Sequence, residues 1–312
     1  MILIDPPVWP AHGTVFSHLV SDASLGELHT FAVAAGIPAR AFDGDHYDVA
    51  ARWHEVLIAR GAAPVSGGDL VRRLRASGLR RTAHARRAER DDLRRRWAGL
   101  SDGSTPGAAW GGIGEDLLAR WSQRGRLHHG LTHLREVLDA VDLLTARGQA
   151  PNQVRRRALL GAWFHDAVHR SGRAFEHQGG RAVVPGQDER DSAALARAAL
   201  AGTRPAREGE AVAALVTMTA DHRPSPGDQA AAILSDADLS VLGSSPTRYA
   251  DYAAAIRGEY ADVPEADFRA GRAAILRDLL AGDLFHTPAG RARWEDAARR
   301  NIADEITRLT SD

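Results

Sequence analysis

The chain has 312 residues, a formal net charge of zero, 44% hydrophobic residues and 26% charged residues. This composition is ordinary for a globular protein, so it excludes a wholly disordered chain and gives no global electrostatic reason to expect a polyanionic partner. The chain contains no cysteine and no lysine. Disulfides, cysteine-based zinc sites and lysine chemistry are therefore excluded, and arginine is left to bind any phosphate group.

Apolar segments are too short to predict a membrane span. Residues 158–164 form one of the longest apolar runs, far below the roughly 20 residues that a transmembrane helix requires. Asp5, His12 and two adjacent prolines interrupt the stretch where a signal peptide would have a continuous apolar core. We therefore expect a cytoplasmic protein that makes no membrane contact, and its length favours two domains.

The first part of the chain alternates strand and helix patterns. This alternation predicts a small α/β domain over residues 1–82. The predicted strands cover residues 2–4, 39–42 and 62–65, and the predicted helices cover residues 25–35 and 49–60.

An arginine-rich segment follows. Residues 71–97 carry eleven arginines against Glu89, Asp91 and Asp92. Such a segment could contact nucleic acid, but in a lysine-free chain a solvated amphipathic helix is the favoured interpretation. Residues 101–114 contain five glycines and one proline, which is typical of a linker. We assign residues 83–111 to this arginine-rich helix and glycine-rich linker.

Helical patterns dominate the remainder, residues 112–312. Leu134, Val137, Leu138, Val141 and Leu144 share one helix face, and Gly148 with Pro151 predicts its end. Residues 154–169 are apolar nearly all round, as in a central buried helix. The predicted class is thus α+β, with a small α/β domain followed by an all-α domain. Further helices are predicted over residues 189–201, 210–220, 228–242, 246–260, 264–281 and 289–309.

Three polar motifs interrupt these apolar helices. His165 and Asp166 are adjacent within the predicted buried helix, where an uncompensated carboxylate costs several kcal/mol. His129 and His133 lie four residues apart, so on a helix they share one face. Asp238 is surrounded in sequence by apolar residues. Taken singly, each motif has an ordinary explanation as a satisfied core histidine, a helix cap or a solvated carboxylate.

Taken together, two imidazoles and two carboxylates on three helical segments suit a divalent cation with open positions for water and phosphate. The ligand types suit Mn, Fe, Ni or Zn without choosing among these four metals, and Co or Mg also stays open. The order and spacing resemble the HD-domain superfamily of metal-dependent phosphohydrolases, in particular a bacterial branch, over about residues 112–309. The matching stretches are Arg-Leu-His-His-Gly-Leu-Thr-His at 126–133, Trp-Phe-His-Asp at 163–166, Asp-Glu-Arg-Asp-Ser-Ala at 188–193, Thr-Met-Thr-Ala-Asp-His at 217–222 and Asp-Ala-Asp-Leu-Ser-Val-Leu-Gly at 236–243.

The resemblance implies metal ligation by His133, His165, Asp166 and Asp238, with His165 and Asp166 as catalytic residues. His128 stands where this branch usually has tyrosine, which leaves the choice between His129 and His133 open. Other residues in the matching motifs are expected to act in a second metal site or around the first one, namely His129, Glu189, His222 and Asp236. Substrate phosphate is expected to contact Arg126, Arg257, Tyr260 and Arg272.

The N-terminal domain has a resemblance of its own, to the domain-of-unknown-function family 4031, which implies no activity. It rests on Ile-Asp-Pro-Pro-Val-Trp at 4–9, Ser-His-Leu-Val-Ser-Asp at 17–22, Glu-Leu-His-Thr-Phe-Ala at 27–32 and His-Tyr-Asp at 46–48. The domain is rich in side chains that could form a polar or metal site, although a hydrogen-bonded surface is favoured. These are Asp5, His18, Asp22, His29, Asp45, His46 and Asp48.

The functional hypothesis is hydrolysis of a phosphoester, a nucleotide or another small phosphorylated metabolite, by a metal-activated water. One alternative is a non-catalytic regulatory module that binds a metal or nucleotide. Another is a nucleic-acid-associated hydrolase that uses residues 71–97, which is not favoured. A minority of the resembling superfamily performs oxidation with two irons, so that chemistry also stays open.

Overall fold

The computed structural model confirms the predicted α+β class, with a small sheet near the N-terminus followed by helices. It describes residues 1–146, 150–170, 185–202 and 207–311, so the predicted helix stop at Gly148 lies outside the described residues. The chain divides into two compact units. The first comprises Met1–Ala88, Arg124–His128 and Ala250–Pro264, and the second comprises Glu89–Gln123, His129–Tyr249 and Glu265–Asp312.

The first unit therefore includes two segments that the sequence analysis placed in the all-α domain. Hydrogen bonds account for this. The Asp251 carboxylate accepts from the backbone N–H of Gly26 at 2.7 Å. The Glu259 carboxylate accepts from the backbone N–H of His128 at 2.8 Å.

The sheet of the first unit has five strands, of which β3 is the longest and pairs with three others. β1 and β3, β2 and β3, and β3 and β4 are antiparallel, whereas β1 and β5 are parallel. The strands are β1 (Ile2–Ile4), β2 (Trp9–Ala11), β3 (Thr14–Ser21), β4 (Tyr47–Ala50) and β5 (Ala63–Pro64).

Two of the predicted elements in this unit are wrong. Residues 39–42 do not form a strand, because Ala39–Ala41 is a 3₁₀ helix. Residues 49–60 do not form one helix, because their first residues complete β4, Ala51–Trp53 is a 3₁₀ turn, and the helix α2 covers only His54–Ala59. The predicted strands at residues 2–4 and 62–65 and the predicted helix at residues 25–35 are present.

Helices cover both faces of the sheet. On one face, Leu19, Tyr47 and Val49 join a buried cluster with Leu28 of helix α1 (Leu25–Ala35). On the other face, Leu3 and Val20 pack with Leu70 and Leu74 of helix α3 (Gly67–Ala76). Side chains alternate across a strand. His18 therefore shares the α3 face with Val20.

The second unit is built from helices around one large apolar cluster. The predicted linker at residues 101–114 is partly wrong, since a helix begins at Gly107. Among the described helices of the chain, none is both long enough and apolar enough to cross a membrane. The remaining helices are α4 (Ala83–Ala98), α5 (Gly107–Trp121), α6 (Leu131–Leu144), α7 (Asn152–Phe164), α8 (Gln187–Ala199), α9 (Glu208–Met218), α10 (Gln229–Asp238), α11 (Pro246–Glu259), α12 (Glu265–Ala281) and α13 (Pro288–Thr310).

Helix ends carry the polar motifs. α7 ends at Phe164 with His165 as its C-terminal cap, so the His165–Asp166 pair lies at the end of this helix and not in its middle. His129 precedes α6, whereas His133 lies in its first turn, so these two histidines do not share a helix face as predicted. Asp238 is the last residue of α10. These helix ends place the polar side chains outside the regular apolar faces of the helices.

Candidate metal centre

Four side chains of the second unit converge at the ends of α6, α7 and α10. Asp238 Oδ1 lies 3.1 Å from His133 Nε2 and 3.5 Å from His165 Nε2. The two Nε2 atoms are 3.3 Å apart. Asp166 Oδ2 lies 3.2 Å from His165 Nε2 and 3.8 Å from His133 Nε2. The structure thus brings together all four predicted ligands.

These separations suit one shared cation. Ligand bonds of about 2.0–2.2 Å place neighbouring ligand atoms about 3.3–3.6 Å apart in a tetrahedral site and about 2.8–3.1 Å apart in an octahedral site, which keeps positions for water and substrate. His133, His165 and Asp238 offer ligand atoms within 4.8 Å of one another. The donor set of two imidazoles and two carboxylates fits a divalent transition metal.

Backbone and aromatic contacts fix the orientation of His165. Its Nδ1 lies 2.8 Å from the carbonyl oxygen of Ala162, one turn earlier in α7. With the Nδ1–H donating there, the Nε2 lone pair faces the other three side chains, as in metal-binding histidines. The Trp121 ring packs at 5.3 Å from the His165 ring, and its own N–H donates to the Trp163 carbonyl at 2.9 Å.

Burial and opposite charges shift the pKa values of the side chains in this cluster. Burial lowers the pKa of His165, but the carboxylates of Asp166 and Asp238 outweigh burial and raise this pKa well above its usual value. Burial raises the pKa of Asp238, but the neighbouring histidines outweigh it and hold this pKa well below the usual range. The same balance, with His165 and His129 as the main positive partners, lowers the pKa of Asp166. Buried carboxylates therefore draw positive charge into this site, as a proton or as a cation.

The centre is open on its carboxylate side. The side chains of His133 and His165 are 3% and 1% exposed, whereas those of Asp166 and Asp238 are 19% and 15% exposed. Water and a small ligand can therefore reach the carboxylate oxygens, while the imidazoles are shielded by packed side chains.

Further titratable side chains surround the four. The His129 ring lies 5.9 Å from the His133 ring and 4.1 Å from the ring of His169. Burial raises the pKa of Glu189, and the charge of Asp166 raises it further. His222 Nε2 lies 3.8 Å from Asp238 Oδ2. The sequence did not indicate His169 as a site residue, because a histidine at a helix end has a simpler explanation as a helix-end residue.

Asp236 faces away from the cluster. Its carboxylate accepts hydrogen bonds from the backbone N–H groups of His286 and Thr287, at 2.6 and 2.8 Å, and from the Thr287 hydroxyl at 2.6 Å. Burial raises the pKa of Asp236, and these bonds partly offset the increase. Asp236 therefore anchors the start of α13 to α10.

The predicted phosphate-binding residues are divided between the units. Arg126, Arg257 and Tyr260 belong to the first unit, whereas the metal centre belongs to the second. Arg257 donates to the carbonyl oxygens of Tyr260, at 2.6 Å, and Val263. Arg272 belongs to the second unit, where it forms an ion pair with Glu305 at 2.9 Å.

Ion pairs engage much of the arginine-rich segment, residues 71–97. This pairing is typical of a solvated helix surface. The pairs are Arg72 with Asp69, Arg73 with Asp22, Arg80 with Asp45, Arg86 with Asp43, Arg94 with Asp91 and Glu115, Arg95 with Asp92, and Arg96 with Asp92 and Asp139.

Comparison with known families assigns only the N-terminal part of the chain. Residues 2–77 match the family described as protein of unknown function (DUF4031). This match supports the N-terminal resemblance seen in the sequence. The curated proteins and the solved structures contain no match to the chain.

Proposed function

We propose that the second unit is a metal-dependent phosphohydrolase that acts on a nucleotide or another small phosphorylated metabolite. The observation that carries this proposal is the convergence of His133, His165, Asp166 and Asp238. Each histidine Nε2 lies 3.1–3.8 Å from both carboxylates and 3.3 Å from the other Nε2. The resemblance of the surrounding motifs to the HD-domain superfamily supports the same reaction class.

The donor set favours a transition metal. Imidazole is a common ligand of Zn, Fe, Ni and Cu, whereas Mg prefers a shell made of oxygen atoms alone. Two of the four proposed ligands are imidazoles, so we expect Mn, Fe, Co, Ni or Zn rather than Mg. Such a cation supplies Lewis-acid polarisation of a phosphate oxygen and acidifies a bound water.

The side chains have distinct roles in this proposal. His133 and His165 would hold the cation from the buried side, because both rings are buried and the contact with the Ala162 carbonyl orients His165. Asp238 completes the binding set from α10. Asp166 is the most exposed of the four, so its carboxylate is placed to accept a hydrogen bond from the attacking water and to hold its proton.

The Asp166→Asn substitution tests this assignment. Asparagine keeps the size of the side chain but removes the charge that binds the cation and accepts the proton. We expect the rate of phosphoester hydrolysis to fall by a factor on the order of 100 or more. The assay uses the purified full chain with a panel of nucleotides and small phosphoesters, each with added Mn, Co, Ni, Fe, Zn or Mg, beside metal analysis of the same preparation.

Asp296→Asn is the matched control, because Asp296 is exposed on α13 and should keep wild-type activity. Equal activity of Asp166→Asn and wild type would contradict the mechanism. A tightly bound cation with no turnover across the panel would instead favour the non-catalytic regulatory module. Salt-dependent retention on DNA or RNA would favour the nucleic-acid alternative, which the ion pairs of residues 71–97 do not support.

A further inference from the structure

A second group of histidines and carboxylates lies on the sheet of the first unit. His18 on β3 and Asp48 on β4 are direct cross-strand partners in the antiparallel register, so their side chains share one face. His46 is two residues before Asp48 and points to the same face. Asp48 Oδ1 lies 3.3 Å from His46 Nε2 and 3.9 Å from His18 Nε2, and the two rings are 4.9 Å apart.

The Nδ1 atom of each of these histidines contacts a buried carboxylate. His18 Nδ1 lies 2.9 Å from Asp5 Oδ2, and His46 Nδ1 lies 2.7 Å from Asp45 Oδ1. Asp5 and Asp45 are almost completely buried. With both Nδ1–H groups donating to carboxylates, both Nε2 atoms are left facing Asp48.

The supporting carboxylates are themselves fixed by hydrogen bonds. Asp5 accepts from the indole N–H of Trp9 at 3.2 Å and from the backbone N–H of His18. Asp45 accepts from the backbone N–H of Arg81 at 2.6 Å. Carboxylates that orient a histidine through Nδ1 and raise the basicity of Nε2 are the usual second layer of a metal site. A surface ion pair does not require this degree of support.

We propose that His18, His46 and Asp48 bind a divalent first-row transition metal ion such as Zn²⁺, in a site separate from the centre of the second unit. The three offer ligand atoms within 4.8 Å of one another. The 3.3 Å separation between Asp48 and His46 lies within the spacing of about 3.3–3.6 Å expected in a tetrahedral zinc site. The 3.9 Å separation to His18 is longer, so metal binding requires the Asp48 carboxylate to move closer to this ring.

The site has three protein ligands and faces solvent. The side chains of His18, His46 and Asp48 are 26%, 12% and 36% exposed. Structural zinc sites are normally closed by four protein ligands, whereas three protein ligands leave a position for water or an external ligand. The cluster also lies where β1 ends, since Asp5 directly follows this strand. A bound metal would therefore keep one position for water or an external ligand on this face of the sheet.

Zinc titration of the full chain tests the proposal, with calorimetry for affinity and elemental analysis for stoichiometry. Asp48→Asn is the main variant, because the exposed side chain is replaced by one of the same shape. Asp48→Asn is compared with the wild-type protein, and the Asp48→Asn/Asp238→Asn double variant is compared with Asp238→Asn. The Asp238→Asn substitution impairs the candidate centre of the second unit. We expect Asp48→Asn to weaken zinc binding at one site by more than about tenfold in both backgrounds. His84→Ala, which removes an exposed histidine of the same unit, should leave binding unchanged.

A second variant, His18→Asn, removes another proposed ligand and so tests the site independently of Asp48. Circular dichroism verifies that each variant is folded. Loss of the same zinc equivalent in both variants supports the site. The proposal is overturned if the Asp238→Asn protein binds no zinc, or if Asp48→Asn and its parent bind zinc equally. In either case, His18, His46 and the surrounding carboxylates form an ion-pair network only.

Discussion

His29 shows how one buried histidine can make the first unit sensitive to acid. Its side chain is buried beside Phe42, and its Nδ1 lies 2.8 Å from the Tyr47 hydroxyl. Burial lowers the pKa of His29 to about 4, although the charge of Glu259 acts in the opposite direction. The sequence analysis counted His29 among residues that could form a polar site, whereas its structural role is in the core.

This pKa predicts a loss of stability at acidic pH. The unfolded chain binds a proton at His29 below about pH 6.5, and the folded protein does so only near pH 4. Stability from this group is therefore complete above pH 6.5 and decreases as the pH falls towards 4, by about 3 kcal/mol in total. Urea unfolding at several pH values measures the slope.

His29→Gln should reduce that slope, because glutamine can still hydrogen-bond to Tyr47 but does not titrate. His84→Gln is the control, since His84 is exposed and the substitution should leave the slope unchanged. An unchanged slope in His29→Gln would show that another group causes the acid sensitivity.

Residue types and their order predict which residues form the candidate metal centre better than they predict its geometry. The sequence named His133, His165, Asp166 and Asp238 from their motifs, and these four side chains do converge. It could not supply the contact of His165 with the Ala162 carbonyl, because this contact depends on where α7 ends. The position of a helix end is set by the packing of neighbouring elements as much as by local sequence.

At the scale of elements, a reciprocal tryptophan pair joins α4 to α5. The Trp97 and Trp110 rings stack at 4.4 Å, and each indole N–H donates to the carbonyl of the other residue, at 2.8 and 3.0 Å. Gly114 lies one turn after Trp110 and beneath the Trp97 ring. The register of α5 also places Trp121 against His165, so the pair supports the metal centre indirectly.

Two glycines of α5 give opposite predictions. A Cβ at Gly114 would lie 2.8 Å from Trp97 Nε1, in a ring that its hydrogen bond and stacking hold in place, whereas a Cβ at Gly112 would have nothing within 4 Å. Gly114→Ala should destabilise the protein by about 1–3 kcal/mol through overpacking. Gly112→Ala should stabilise it by up to about 1 kcal/mol through helix propensity.

Urea unfolding, followed by circular dichroism, measures both changes. Gly112→Ala is the matched control, because it adds the same methyl group to the same helix on its exposed face. Equal stabilities of the two variants would show that the Trp97 ring is free to move.

Helices were predicted more accurately than strands for a physical reason. The helices of the second unit bury apolar side chains at a 3.6-residue period, which is visible within a single segment. The sequence of β3 does not show the alternation of apolar and polar residues that predicts a half-buried strand. The reason is that helices cover both faces of the sheet and that polar Ser17 and Ser21 are buried within it. Its partners β1 and β4 are distant in sequence, so their pairing cannot be deduced from local pattern.

At the scale of the whole molecule, the order of residues along the chain does not reveal which segments form each unit. The sequence predicts contiguous domains, but residues 250–264 belong to the first unit through contacts such as that between Asp251 and Gly26. These residues are 225 positions apart. Composition and periodicity give no information on such contacts. The family match at residues 2–77 covers most of the longest segment of this unit and neither of its later segments.

Each unit also has its own candidate metal site, which predicts two separable effects of a cation on stability. A ligand that binds only the folded state stabilises it by about 2.7 kcal/mol at a concentration of 100 times its Kd. Zinc should therefore raise the thermal unfolding temperature of the wild-type protein, and a chelator should reverse the increase. Asp48→Asn should remove the contribution of the first unit and Asp238→Asn that of the second.

The double variant should show no zinc-dependent shift, and the two single losses should add up to the wild-type shift, because the two sites belong to different units. His84→Ala again serves as the control. If Asp238→Asn alone abolished the entire shift, the first unit would gain nothing from zinc, and the site on its sheet would be refuted while the centre in the second unit kept its support.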